Sequence, residues 1–442
     1  VNIRTAIALW ALALPVAASP AADADIDAIR AEVAALRQDY ETRLAALEAR
    51  LAAAQLQPPA APAATGFNPA ISLIFDGTYR SFERDPQDYA IVGTLPAEGE
   101  TGPGARNFDI GESELTLSAN IDPYFSAFFV ASFASNGEVG VEEANLTHIG
   151  FLPGATLKFG RFLSAFGYQN EIHAHAWDFV DAPLVHQAFF GGVLSEDGVQ
   201  VRWVAPTITF WELGAEAGSG AAFPGTPLNR NTPNSLMLFT HVGADIGTNA
   251  SFRAGASWRT TQARDRDYAD VNALGSEVRN RFSGDVDMWG LDFVWKWTPS
   301  SATGKQLKLQ AEYFGARSDG TFAYDVDGTA LPGDIDAQQS GWYAQAVYQF
   351  MPRWRTGLRY DALDTGSVRI TQIRDRSLDA ADLPLLTSND PTRLTAMLDY
   401  SPSEFSRIRL QIADDQARRN TDDLQFAIQY LMSMGSHGAH KY

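Results

Sequence analysis

The chain has 442 residues, with 34 Lys and Arg against 53 Asp and Glu, and a formal net charge of −19. Such an acidic balance excludes a general basic surface for nucleic acid or anionic head groups. Cysteine is absent, which removes a disulfide framework, a thiolate metal site and a lipid-modified N-terminal cysteine together. Hydrophobic residues make up 45% of the sequence. Even so, beyond the N-terminal segment no apolar run reaches about 18 residues, so a helical membrane protein is excluded and any spanning falls to strands.

At the N-terminus, Arg4 gives a basic start, Thr5 to Val16 an apolar core, and Val16-Ala17-Ala18 a small-residue cleavage site. Residues 1–18 therefore read as a signal peptide for export, the apolar run being too short for an anchor left in the membrane. Residues 25–55 read as a helix. Ile26, Ile29, Val33, Leu36, Tyr40, Leu44, Leu47 and Leu51 recur three or four apart, with Arg30, Glu32, Arg37, Glu41 and Glu48 between them. A single apolar stripe needs a partner. The same helix from neighbouring copies would give a periplasmic coiled coil and a homotrimer; a solvated spacer or a helix lying against the next domain are the other solutions. Residues 56–66, with Pro58, Pro59 and Pro62, form a stiff Pro/Ala linker.

From 67 to 434 the chain falls into stretches of roughly 9 to 13 residues in which apolar and polar side chains alternate, as a strand with lipid on one face and water on the other requires. Ile71, Leu73, Phe75 and Tyr79 share one face, with Ser72, Asp76, Thr78 and Arg80 mostly on the other. Leu115, Leu117 and Ala119 oppose Glu114, Thr116 and Ser118; Leu291, Phe293, Trp295 and Trp297 oppose Asp292 and Lys296. Leu358 and Tyr360 oppose Arg359 and Asp361, and Ile408, Leu410 and Ile412 oppose Arg407, Arg409 and Gln411. A soluble sandwich also alternates; the connections discriminate. Brief turns such as Asp122-Pro123, Pro153-Gly154, Met351-Pro352 and Ser401-Pro402 alternate with the polar segments 83–109, 163–195, 219–233, 263–286, 318–338 and 364–391.

Trp203, Trp211, Trp258, Trp295, Trp297, Trp342 and Trp354 near strand ends fit interfacial girdles. The fold expected is all-β: a roughly 16-stranded antiparallel transmembrane β-barrel preceded by a short coiled-coil helix, in the outer membrane of a Gram-negative bacterium with the helix in the periplasm. A barrel of about 22 strands with a plug would not fit this length. The tail 435–442 carries a terminal aromatic, Tyr442, as a signal to the outer-membrane assembly machinery; Tyr430 in the last strand is the other candidate.

The run Leu157 to Leu184, "LKFGRFLSAFGYQNEIHAHAWDFVDAPL", resembles the strand-and-loop element of the phosphate-selective porin O/P superfamily, and "YAQAVYQF", "GLRYDAL" and "DYSPSEFSRIRLQ" look like the late strands of that group. The resemblance implies a sixteen-stranded channel, usually trimeric, with a loop folded into the lumen. Phosphate is not implied. Between Arg161 and Arg202 there is no Lys or Arg, whereas a phosphate constriction should offer cationic or N–H donors.

The candidate pore-lining residues are Glu171, Asp178 and Asp181 of the long loop and the inward bases Arg202, Arg253, Arg259, Lys296, Lys308, Arg355, Arg359, Arg407 and Arg409. Opposed acid and base would set a field across the lumen; direct pairing of the same charges is the plainer alternative. His173 and His175, with His186 near in sequence, form a candidate site for a divalent metal of the zinc type, and an outer-membrane metal-binding or uptake protein is the alternative function. Loop histidines also cap turns. No other cofactor is indicated, and no G-x-S-x-G, H-E-x-x-H or phosphate-binding glycine loop marks an enzyme. The expected function is a porin passing small hydrophilic solutes or ions by diffusion.

Overall fold

Alternation at period 2 is realised first in β1 (Ala70–Phe82), where Ile71, Leu73 and Phe75 stand outward at 36–43% exposure and Ser72, Asp76 and Thr78 are buried on the other face. The structure, a computed structural model, describes residues 69–97, 101–134, 137–299 and 304–435. The signal peptide, coiled-coil helix and linker read from residues 1–66, and the tail with His437, His440 and Tyr442, lie outside the described residues.

From β1 the chain continues through β2 (Asn107–Asp109), β3 (Ser113–Asn120), β4 (Phe125–Phe133), β5 (Val139–Ile149) and β6 (Ala155–Leu163). A long lumenal loop carrying helix α1 (Leu184–Phe190) leads to β7 (Ser195–Val204), β8 (Phe210–Gly218), β9 (Ser235–Ile246) and β10 (Ala250–Val271). Next come β11 (Glu277–Trp297), β12 (Gln306–Tyr324), β13 (Leu331–Met351) and β14 (Trp354–Ile370), then the short helix α2 (Thr371–Arg374), β15 (Thr392–Ser403), β16 (Ser406–Asp415) and β17 (Asp423–Gly435).

Every described pairing is antiparallel, and β1 pairs with β17 from Ser72↔Gly435 to Phe82↔Gln425, so the sheet closes on itself. Because β2 and β3 both pair with β1 as one interrupted stave, the seventeen strands make a barrel of sixteen staves. Closure leaves no sheet edge, which hydrocarbon would not tolerate. Outward residues such as Leu238, Leu291, Phe293, Leu358, Leu410 and Ile412 are exposed, as a lipid-facing wall requires.

Two departures from expectation stand out. Segments 263–286 and 318–338, read as loops, are largely strand: β10, β11, β12 and β13 run for 22, 21, 19 and 21 residues. Their outer halves meet water on the outside, so no lipid-facing pattern is needed, and charged pairs across the outer surface serve instead, Arg281 with Asp267 at 2.6 Å and Arg317 with Asp336 at 2.9 Å. The wall is therefore uneven, since β3, β4, β6 and β8 have only 8 or 9 residues.

The second departure is an apolar core inside the barrel. Phe166, Leu184, Val185, Phe189 and Phe190 of the lumenal loop pack on Met288, Phe314, Phe322 and Tyr343 of the inner wall, joined by Ile91 and Leu95 from the segment after β1. Phe166, Phe190 and Phe314 form a triangle of rings with centroids 5.2–5.4 Å apart. Burying each such side chain stabilises the fold by about 2–3 kcal/mol, which fastens the loop where an open channel would hold only water.

Candidate functional site

The loop from 164 to 194 leaves β6 and re-enters β7 through a narrow neck. Asn170 closes it: its Nδ2 donates to the carbonyls of Ser164 and Leu194, both at 2.8 Å, and its Oδ1 accepts from Leu194 N at 2.7 Å. Carboxylates of the barrel wall then take up loop backbone donors. Glu216 on β8 accepts from Ala165 N at 2.9 Å and Ser164 Oγ at 2.7 Å. Glu312 on β12 accepts from the amides of Tyr168 and Gln169 and, at 2.6 Å, meets His186 Nε2. Asp361 on β14 accepts from Leu184 N at 2.9 Å, at the start of α1.

Across the lumen the acids of the loop meet the bases of the wall directly. Asp181 pairs with Arg359 at 3.0 Å and Arg393 at 2.8 Å, both guanidinium side chains 1% exposed. Asp178 pairs with Lys308 and with Arg355 at 3.2 Å. Glu171 pairs with Arg202 and, at 3.5 Å, with Arg253. Arg407 and Arg409 donate to the loop carbonyls of His175 and Trp177 at 2.7 and 2.9 Å. Burial alone would raise the Asp181 carboxyl, but Arg393 and Arg359 beside it, with Gln411, hold it at about 2.

The loop divides the remaining space. An outer cavity of about 800 Å³ is lined by Glu112, Glu142, His173 and Arg266 among others. An inner cavity of about 670 Å³ on the short-turn side is lined by Tyr168, His175, Asp178, Lys296, Lys308, Arg355 and Arg407. Ile172 borders both, with His173 and Ala174 facing the outer and His175 and Ala176 the inner one, so residues 172–176 are the partition. Carboxylates outnumber cations around the outer chamber, where Glu112, Glu142, Asp265 and Asp267 stand with Arg264 and Arg266, and cations outnumber carboxylates around the inner one, where Lys296, Lys308, Arg355 and Arg407 stand with Asp178 and Glu404.

Around the partition stands a group of carboxylates and imidazoles. A β-bulge between Val130 and Ala131 of β4 and the Val141–Glu143 stretch of β5 lets two successive residues turn inward. As a result His173 Nδ1 lies 2.9 Å from Glu142 Oε2 and its Nε2 2.9 Å from Glu143 Oε1. Glu114 of β3 reaches both rings, 3.7 Å from His173 Nδ1 and 2.6 Å from His175 Nδ1.

Several sequence expectations change here. His186 does not join His173 and His175; it is buried on Glu312 among Phe190, Phe314 and Tyr343, so the three-histidine metal set is not assembled. Arg259, Arg359 and Arg409 are at most 1% exposed. They act as clamps rather than as lining: Arg259 pairs with Glu196 at 3.4 Å and Arg409 with Asp399 at 2.8 Å. Arg202 and Arg253 sit on Glu171, and Lys296, Lys308, Arg355 and Arg407 edge the inner cavity. Sequence reasoning missed Glu142, Glu143, Glu312 and Arg393. For Glu142 and Glu143 a signal existed, because adjacent carboxylates inside a spanning strand demand that one face lipid unless a bulge intervenes.

No known family model matches the chain. A protein of Aquifex aeolicus (strain VF5), described as an uncharacterized protein, is 32% identical over 401 residues, covering 85% of this chain and 80% of its own. Among solved structures, the trimer form of OmpT, an outer membrane protein of Vibrio cholerae, is 11% identical with a TM-score of 0.48, covering 82% of this chain and 98% of that one. The outer membrane channel DcaP of Acinetobacter baumannii is 14% identical with a TM-score of 0.48, covering 82% and 96%. An anion-selective porin from Comamonas acidovorans is 10% identical with a TM-score of 0.47, covering 82% and 98%. The phosphate-selective group named from sequence phrases is not confirmed by these matches.

Proposed function

This chain belongs to the family of the Aquifex aeolicus protein, and we propose that it is an outer-membrane porin, a passive channel for small hydrophilic solutes and ions. The observation that carries this reading is a closed barrel with an apolar outer wall that encloses two polar chambers, meeting at the partition formed by residues 172–176. Hydrocarbon outside and water inside are what such a wall separates. The solutes that pass are small, since the apolar core and the paired loop fill much of the lumen.

The organism is Gram-negative in this reading, the short turns face the periplasm, and the chain is a homotrimer inserted by the outer-membrane assembly machinery. The low wall of β3 to β8 beside the tall β10 to β13 supports association along the low side, where neighbours would shelter short staves. Planar-bilayer recording of refolded protein tests the channel. Small discrete steps are expected, and replacement of 172–182 by a short Gly-Ser linker should raise the step several-fold. Folded protein that inserts and gives no steps, with or without that replacement, would rule the channel out.

A further inference from the structure

Three ligand-bearing residues converge at the partition: one ligand atom from each of Glu114, Glu142 and His173 lies within 4.8 Å of the others. Donors at about 2.1 Å from a tetrahedral zinc ion are about 3.4 Å apart. The separations from His173 Nδ1, 2.9 Å to Glu142 and 3.7 Å to Glu114, bracket that spacing.

The surroundings of the ring are those of a metal ligand. A ligating histidine gives its other N–H to a carboxylate, which fixes the tautomer and turns the free lone pair toward the ion. Here Glu143 Oε1 takes Nε2 at 2.9 Å, and Glu143 is itself held by Asn145 Nδ2 at 3.0 Å. Glu114 is steadied through its second oxygen by His175 at 2.6 Å. The second oxygen of Glu142, Oε1, is buried and finds no hydrogen-bond partner among the described residues. Glu142 and His173 both border the outer cavity, which offers an entry path and an open position for water or solute.

We propose that Glu114, Glu142 and His173 bind a divalent transition-metal ion of the zinc class from the outer chamber, with Glu143 as the positioning residue, and that the bound ion throttles passage across the partition. The throttling rests on the channel reading; the binding does not. Two neutralised carboxylates and an ordered His173 would stiffen the partition, and the ion's own charge would oppose cations arriving through the acidic chamber.

The test uses full-length folded protein in detergent with His437→Ala and His440→Ala in the background, which removes the tail as a competing site. Calorimetric titration with zinc chloride at pH 7.5 should give one site of micromolar or tighter affinity. His173→Ala and Glu142→Gln should abolish it, and Glu143→Gln should weaken it about 10–100-fold. Retained heat-modifiable migration on gels verifies that each variant is folded. Binding should weaken as pH falls, because the ligands must be deprotonated. No heat from folded protein, or equal heat in His173→Ala, overturns the site. In bilayers, micromolar zinc should lower the step of the background protein and leave His173→Ala unchanged; bound zinc without effect on current overturns the throttle. Zinc heat from a protein that conducts nothing would retain the site and discard the channel.

Discussion

Asp181 shows how far a single carboxylate holds the lumen together. It meets Arg359 and Arg393, both 1% exposed, so Asp181→Asn leaves these two buried guanidinium groups with Asp361 and, for Arg393, Asp415 at 3.7 Å as their remaining carboxylates. Removing one partner of a buried ion pair costs about 3 kcal/mol or more. We expect a lower denaturant midpoint and new chymotryptic cleavage near Trp177 and Phe179; trypsin is uninformative because residues 162–201 contain no Lys or Arg. The reversal potential in a salt gradient should shift toward anion preference, since Asn leaves one negative charge fewer beside Arg359 and Arg393. For pH, the sign follows from the depressed value. Asp181 titrates at about 2 against an ordinary 3.8, so its stabilisation is complete above the ordinary value and drains away as pH falls toward the folded one. Peptic cleavage of the loop should therefore be absent at pH 4 and appear between about pH 3 and 2. The acids and bases of this clamp were visible in the sequence as charges without assigned mates. Which acid meets which base depends on the path of the loop, and no local spacing encodes a path.

Among the elements, β11 separates what was legible from what was not. Leu291 and Phe293 face outward where alternation marked them, because hydrocarbon on one face forces period 2 onto the residues. Leu291→Arg places a charge in that face and should destabilise the barrel by about 2–4 kcal/mol, read as a urea midpoint shift in lipid vesicles. Further out on the same strand the signal fails for two physical reasons. Beyond the membrane both faces meet polar surroundings or loop, so the strand looked like a loop. Inside, Phe282, Val286 and Met288 face the apolar side of the lumenal loop rather than water, so inward hydrophobes blur the register. The helix α1 was hidden similarly, as seven residues that are buried on all sides carry no amphipathic stripe.

On the scale of the whole molecule, the alternation of short turns with long connections foretold an even-staved cylinder, while its uneven height and filled interior came only with the fold. Deleting β17 should leave protein that neither inserts into vesicles nor shows heat-modifiable migration, because β1 and β16 would each present an unpaired edge to hydrocarbon. The register between Ser72–Phe82 and Gln425–Gly435 joins parts of the chain more than 340 residues apart in sequence. That seam joins the first and the last of the described strands. A polypeptide interrupted anywhere before it has no half-built form fit for the bilayer, so biogenesis must hold the whole ribbon in check until both ends meet, and any fragment becomes work for envelope proteases.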